Sequence, residues 1–293
     1  MKKTKVYTTI VHLLLVLMAL SCLIPLMMVL SVSFSRQSDV LTYGYRLIPM
    51  HFDVTAYKIL FKNTGPVLKA YGVTAYYAVV NTVLSLLICS MAGYAMSRSN
   101  FKMRKFFNYF FLLTMLIGGG TIPSYILKSK YLGLSNNLLL YAVNALVAAY
   151  TIFVFRTFFA QIPTSLIEAA TIDGAKERQI FVKVIFPMSV PVFASMGFTM
   201  LIEKWNDYIV PLYYMTNKNY YTIQYYLQLV LNDLNFIKQS LRLSGAQTLA
   251  TDDMPLEILK FSLCVVGALP ALIAFPFFQK YFSKGMVLGS VKG

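Results

Sequence analysis

Six apolar runs, near 8–33, 71–97, 106–127, 136–158, 186–212 and 257–282, are each long enough to cross a bilayer. A ~30 Å hydrocarbon core takes about 20 residues at 1.5 Å of helical rise apiece. In hydrocarbon the backbone must pair its N–H and C=O groups within the segment, so runs of this length form helices. The first four carry no Asp, Glu, Lys or Arg in their interiors except Arg156, near the end of the fourth. An ionised side chain at such a depth costs about 3 kcal/mol. Only 13% of the 293 residues are charged and 58% are hydrophobic, where a soluble domain carries about 25% charged residues. The expectation is an all-α polytopic membrane protein, a single transmembrane domain over 1–293 with six transmembrane helices.

The net charge of +15 would suit nucleic acid in a soluble chain. Here the basic residues sit in short gaps between runs, where topology explains them, so no nucleic-acid partner is expected. Lys2, Lys3 and Lys5, then Arg98, Lys102, Arg104 and Lys105, then Arg156, Lys176, Arg178 and Lys183, then Lys280, Lys284 and Lys292 fall on one side. The excess of Lys and Arg near span ends marks the cytoplasmic face, which places both termini inside and the segment 213–256 outside. The first run, through Ser33, is too long for a signal peptide core. Cys22, Cys89 and Cys264 lie in three separate runs without metal spacing, and are expected to be buried as small apolar packers. With His12 and His51 the only histidines, no metal site and no catalytic residue is expected.

The segment 162–187 is the most informative. It reads Ile162-Pro163-Thr164-Ser165-Leu166-Ile167-Glu168-Ala169-Ala170-Thr171-Ile172-Asp173-Gly174-Ala175-Lys176, and runs on to Pro187. Its pattern predicts two short helices joined at Asp173-Gly174. Ser165 and Glu168 have capping-box spacing, Gly174 can supply a positive φ, and Asp173 can cap the second helix. Phe181, Val184 and Ile185 fall on one apolar stripe, and Pro187 suits the first turn of the fifth span. From these features alone, a capped amphipathic loop without a partner is an equal reading.

Glu168-Ala169-Ala170, with Gly174 six and Pro187 nineteen residues after Glu168, resembles the EAA loop of bacterial ABC importer permeases. Asp173-Gly174-Ala175 is similar to the version found in carbohydrate permeases of the maltose-transporter, MalG-like branch; Val184, three before the proline, departs from the more usual Ile. Other stretches share the likeness: Ala92-Gly93-Tyr94, Gly118-Gly119-Gly120-Thr121-Ile122-Pro123, Trp205-Asn206-Asp207-Tyr208, and the tail from Phe275-Pro276 to Gly293. The glycine triplet and the tail resemble a subgroup beside binding proteins for pectin- and alginate-derived oligosaccharides. The resemblance implies a type I ABC importer (MetI-like) permease fold in a bacterial cytoplasmic (inner) membrane. It implies that Glu168, Ala169, Ala170, Asp173, Gly174, Ala175, Phe181 and Pro187 belong to a loop docking on an ATPase dimer. It further implies a second homologous permease, an extracytoplasmic solute-binding protein, and a tail, 283–293, reaching toward the ATPase. ATP and Mg would reside on the ATPase and no cofactor on this chain, which has no Gly-x4-Gly-Lys-Ser/Thr motif. A secondary transporter would need a relay of acidic or histidine residues through the core, and none is present. An importer for peptides, amino acids or ions is the main alternative.

Polar residues within the runs mark candidate pathway or permease-interface positions: Asn81, Tyr125, Glu203, Trp205, Asn206 and Asp207. Asn81 in a span reads equally as an interhelical hydrogen bond, and Trp205 as part of an interfacial belt. Glu203 and Asp207, four apart, are expected to share a helix face and to be buried in protein. Tyr220, Tyr221, Tyr225 and Tyr226 are candidate contacts for the binding protein, which the resemblance places on this outer loop; a loop folded on the membrane surface is the alternative.

Overall fold

The computed structural model of the protein describes residues 2–62, 64–243 and 255–288. Among these residues there is no strand, only an isolated bridge between Ser35 and Phe52. In chain order the helices are α1 (Lys2–Ser33), α2 (Gln37–Tyr43), α3 (Thr55–Leu60), α4 (Thr64–Ser97), α5 (Arg104–Leu116), α6 (Thr121–Ile126), α7 (Leu139–Val143) and α8 (Ala149–Phe159). Then come α9 (Thr164–Ile172), α10 (Glu177–Ile180), α11 (Phe186–Met188), α12 (Val190–Trp205), α13 (Ile209–Tyr214), α14 (Ile223–Leu243) and α15 (Leu256–Leu288).

Among the described residues, three helices are long and apolar enough to cross a membrane: Thr8–Ser33, Thr64–Ser97 and Leu256–Gln279. Two bent pairs reach that length and hydropathy only together, Arg104–Leu116 with Thr121–Tyr131 at 107°, and Glu177–Met188 with Val190–Trp205 at 80°. The six unbroken helices expected from hydropathy are therefore not found among the described residues. The third run breaks at the glycine triplet, where Gly120 has φ +79°. The fifth breaks at buried Ser189, and its helix stops at Trp205. The fourth, 136–158, is two short helices separated by 144–148, with Ala145 at φ +51°. The last helix runs on into the tail: α15 continues to Leu288, and 289–293 lie outside the described residues.

The chain divides into two compact units, 1–67 with 226–270, and 68–225 with 271–293. In the first, α15 docks on the end of α1: the Ser262 hydroxyl donates to the Ser33 carbonyl at 3.3 Å and the Ile258 N–H to Gln37 Oε1 at 3.2 Å. Val32, Ala56, Leu259 and Leu263 form its buried packing. Thr8–Ser33, of mean hydropathy 2.8, buries almost nothing against its own chain apart from its last turn at Ser31, Val32 and Ser33. Cys22, expected to be buried, is exposed on this helix, as is Cys264 on α15; only Cys89 is buried. A thiol behaves as a small apolar group and suits an apolar helix surface as well as a core, so burial was not required.

The second unit has two apolar clusters. One joins Tyr94 and Met96 of α4 to Phe155 and Phe159 of α8, Ile167 of α9, Ile180 of α10 and Met196 of α12. The other gathers Tyr77, Leu140, Tyr141, Val210 and Tyr214. Lipid is as apolar as these side chains, so close fit and hydrogen bonds hold such helices together rather than transfer from water.

Candidate functional site

The segment from α9 to α11 forms two short helices around one turn. At its corner Gly174 has φ +77°, the left-handed value its lack of a side chain permits. The Gly174 N–H donates to the Thr171 carbonyl and the Ala175 N–H to the Ala170 carbonyl, both at 3.0 Å. These two bonds are the Schellman closure of a helix, with the left-handed residue just past the cap. The spacing of Ala170 and Gly174 is thus the spacing such a closure requires, and Ala170 and Ala175 both pack on the aromatic cluster beneath. Ile180 and Ile185 are buried there, and Phe181 and Val184 half-buried, as the apolar stripe predicts. Glu168, Ala169, Asp173 and Gly174 face solvent, and Ile172 at the tip is 86% exposed.

Three local expectations are corrected. No capping box forms at Ser165 and Glu168; α9 starts at Thr164 with Pro163 as its cap residue, which puts Ser165 inside the first turn. Asp173 is the C-cap of α9 rather than the N-cap of α10. The closure consumes 173–175, so the second helix is capped later, where the Lys176 N–H donates to Gln179 Oε1 at 2.8 Å. Pro187 belongs to α11, ahead of the 80° bend, and Pro191 takes the first turn of α12.

This loop is bonded to α4 as well as to its chain neighbours. The buried Tyr94 hydroxyl donates to Glu177 Oε2. Arg98 Nη2 lies 3.4 Å from Glu177 Oε1, and Arg98 Cζ lies 5.9 Å from the centre of the Tyr94 ring. The Arg98–Glu177 pair is half exposed and contributes little; the part-buried, charge-assisted bond from Tyr94 is the stronger tie. The Tyr94 ring also meets Phe181 at 5.3 Å and Phe159 at 6.4 Å. Next to it, Gly93 lets α4 touch the α8 backbone: a Cβ there would stand 2.7 Å from Phe155 Cβ and 3.0 Å from both Arg156 N and Ile152 O.

Higher on α4, Asn81, Ser85 and Cys89 repeat every fourth residue and so share one face. All three are fully buried and all three bond the interrupted part of the fourth run. Asn81 Nδ2 donates to the carbonyls of Tyr141, Ala142 and Asn144 at 3.0, 3.2 and 2.8 Å. Ser85 Oγ donates to the Leu146 carbonyl at 2.7 Å. Cys89 Sγ accepts from the Ala148 N–H at 3.5 Å. Non-helical backbone is tolerated at membrane depth only where protein satisfies it, and this ladder does so. Asn81 is therefore held in a structural role, with its amide N–H groups spent on backbone. It sits halfway along the 34-residue α4, roughly 25 Å from either end. Ala145 and Val147 are exposed.

A family profile, binding-protein-dependent transport system inner membrane component, matches residues 2–288. The chain belongs to this family. The permease is 28% identical over 291 residues to the polygalacturonan/rhamnogalacturonan transport system permease protein YtcP of Bacillus subtilis (strain 168), covering 99% of this chain and 100% of that one. It is 30% identical over 217 residues to the lactose transport system permease protein LacG of Rhizobium radiobacter, covering 73% and 72% of the two chains. Among solved structures it resembles a chain of a bacterial ABC transporter involved in the import of the acidic polysaccharide alginate. The TM-score is 0.81 at 27% identity, over 96% of this chain and 98% of that one. The all-α permease fold expected from the sequence is thus the fold of this chain, although the count of unbroken helices is not.

The remaining candidate residues of the permease fall into distinct environments. Asp207 lies just beyond the end of α12, so it does not share a helix face with Glu203. Its Oδ2 accepts from the Tyr77 hydroxyl at 2.7 Å, and its Oδ1 from the N–H groups of Ile209 and Val210 at 2.9 and 3.1 Å, opening α13. The bonds continue from Asn144 Nδ2 to the Tyr77 hydroxyl at 3.2 Å, and from Lys128 Nζ to Asn144 Oδ1 at 2.6 Å. Glu203, expected to be buried, is exposed; Lys204 beside it is the buried one and bonds Glu203 Oε1 at 2.9 Å. Trp205 is buried against Tyr71, 6.1 Å between rings, and Asn206 accepts from Gln224. Tyr125 is exposed and its ring lies tilted against that of Tyr214, 5.4 Å between centres. Tyr225 is 8% exposed and packs edge-on to Tyr221, so it presents no free surface. Tyr220 and Tyr221 pack on the Tyr77 cluster. Tyr226 belongs to the other unit, where it lines an apolar cavity of about 250 Å³ with Leu227, Leu259 and Leu263.

Asp207→Ala would remove both caps of α13 and the partner of a buried hydroxyl. The expected loss is about 2 kcal/mol, read as lowered thermal stability in detergent. Glu203→Ala should change stability by no more than about 0.5 kcal/mol.

Sequence reading missed Tyr94, Arg98, Glu177, Ser85 and the bonding role of Cys89. The ladder did leave a signal, three small polar residues at four-residue spacing inside one apolar run. The Tyr94–Glu177 bond left none, because its partners lie 83 residues apart.

Proposed function

We propose that this chain is the permease subunit of an ATP-driven importer for oligosaccharides, of the kind released from acidic polysaccharides. A second homologous permease would complete the pathway, and an extracytoplasmic binding protein would deliver the sugar. An ATPase dimer, holding ATP and Mg, would power transport from the cytoplasmic side, where both termini lie. The subunit performs no covalent chemistry. The observation carrying this reading is the rigid, Schellman-closed loop 164–188, which presents an exposed Ile172 and is bonded to α4. A knuckle of this kind transmits rigid-body displacement, where a flexible loop would dissipate it. Full-length likeness to a permease named for polygalacturonan/rhamnogalacturonan transport, and to a chain of an alginate importer, supports the cargo class. Exposed Glu203 is a candidate for the partner permease or the pathway.

The test is reconstitution in proteoliposomes with the ATPase, second permease and binding protein. Trigalacturonate should stimulate ATP hydrolysis and accumulate inside. Stimulation by amino acids or peptides instead would overturn the cargo assignment, and no association with an ATPase would overturn the importer reading.

A further inference from the structure

We infer that α4 is the transmission rod of the permease: its cytoplasmic end takes up movement of the coupling loop through Tyr94, and its middle delivers that movement to 144–148 through Asn81, Ser85 and Cys89. The inference rests on the importer reading and adds a route to it. α9 to α12 are joined in sequence to the fourth and fifth runs, so covalent connection alone would pass force to those. The bonds point elsewhere. At one end of α4, Tyr94 is anchored on Glu177 and wedged between Phe159 and Phe181. At mid-depth, the same helix holds the interrupted backbone by bonds to Tyr141, Ala142, Asn144, Leu146 and Ala148. Between these joints α4 is continuous helix without proline or a break, and such a helix moves as one body. The driven segment is built to respond: its backbone is non-helical, Ala145 has φ +51°, and a non-glycine residue held there stores strain. It is bonded to α4 at Asn144, Leu146 and Ala148, while Ala145 and Val147 between them are exposed. Tyr94, Ser85 and Asn81 are thereby assigned as positioning residues for transport.

Tyr94→Phe and Ser85→Ala each delete one hydroxyl and keep the helix. In the reconstituted importer, each should disconnect the α4 route and lower trigalacturonate uptake per ATP hydrolysed roughly five- to tenfold, the remainder passing through the covalent connections to the fourth and fifth runs. The two positions are nine residues apart, roughly 13 Å along the helix, and share no partner. At that separation independent effects multiply, to roughly 25- to 100-fold. In a series linkage the second cut adds nothing, so the double variant should match the worse single one. Multiplication, or an unchanged ratio in both single variants, would overturn the rod.

A second readout needs no sugar. Val147→Cys, in a Cys22→Ser, Cys264→Ser background, should change its reaction rate with an impermeant maleimide when ATP and vanadate are added. Tyr94→Phe should abolish that change; its persistence would overturn the rod. Failure of the unmodified importer to take up trigalacturonate would count against the cargo reading alone, since the labelling arm still decides the route.

Discussion

Gly174→Val is expected to abolish substrate-stimulated ATP hydrolysis while leaving membrane insertion and the rest of the fold intact. Nothing lies within 4 Å of a Cβ built at this position, so the substitution meets no steric obstacle. The whole cost is backbone: φ is +77°, and an L-residue there loses about 1–2 kcal/mol, more when β-branched. Relief requires the turn to leave the left-handed region, which breaks the bonds from Gly174 to Thr171 and from Ala175 to Ala170. The exposed tip at Ile172 then loses its fixed relation to Phe181 and the cluster beneath. Gly174→Asn is the informative companion, because asparagine visits this conformation with little penalty. It should retain most of the stimulated rate. Unchanged hydrolysis in Gly174→Val would remove the turn from the coupling route.

Gly93→Ala should be the most damaging single-methyl addition in the second unit. The new carbon would sit 2.7 Å from Phe155 Cβ, and 3.0 Å from two backbone atoms of α8. None of these is the free end of a side chain, so α4 and α8 must separate. Overpacking of this sort costs roughly 1–3 kcal/mol. Separation would also loosen the Tyr94, Phe159 and Phe181 rings one residue further on. The expected result is a lowered unfolding temperature in detergent together with weaker coupling. Gly197→Ala is the control: its Cβ would meet only Leu86 Cδ1 at 3.1 Å, a methyl that can turn aside. If the two variants proved equally stable, close approach at Gly93 would not be what joins α4 to α8.

How far the sequence could be read depended on the range of the interactions. The Schellman turn was legible because all its partners lie within six residues, so Gly174 announced its own conformation. The helix ends were misread at Ser165 and Asp173, where several residues could cap and only the path of the closed turn selected among them. The interruption at 144–148 was invisible to hydropathy, which averages over a window and sees only apolar residues. What permits it is a set of donors on α4 some 60 residues earlier. Burial of acids was likewise misjudged, because the end of α12 at Trp205 separates Glu203 from Asp207 and gives the buried place to Lys204.

The sequence alone determined that this chain lives in a membrane as helices and that it turns sharply at Gly174. Both follow from local physics, the solvation of apolar side chains and the steric freedom of glycine. Tertiary structure decided where the helices stop being helices, and which helix the coupling loop grips. Those outcomes depend on distant groups satisfying one another's hydrogen bonds in a medium without water, which no stretch of sequence specifies by itself.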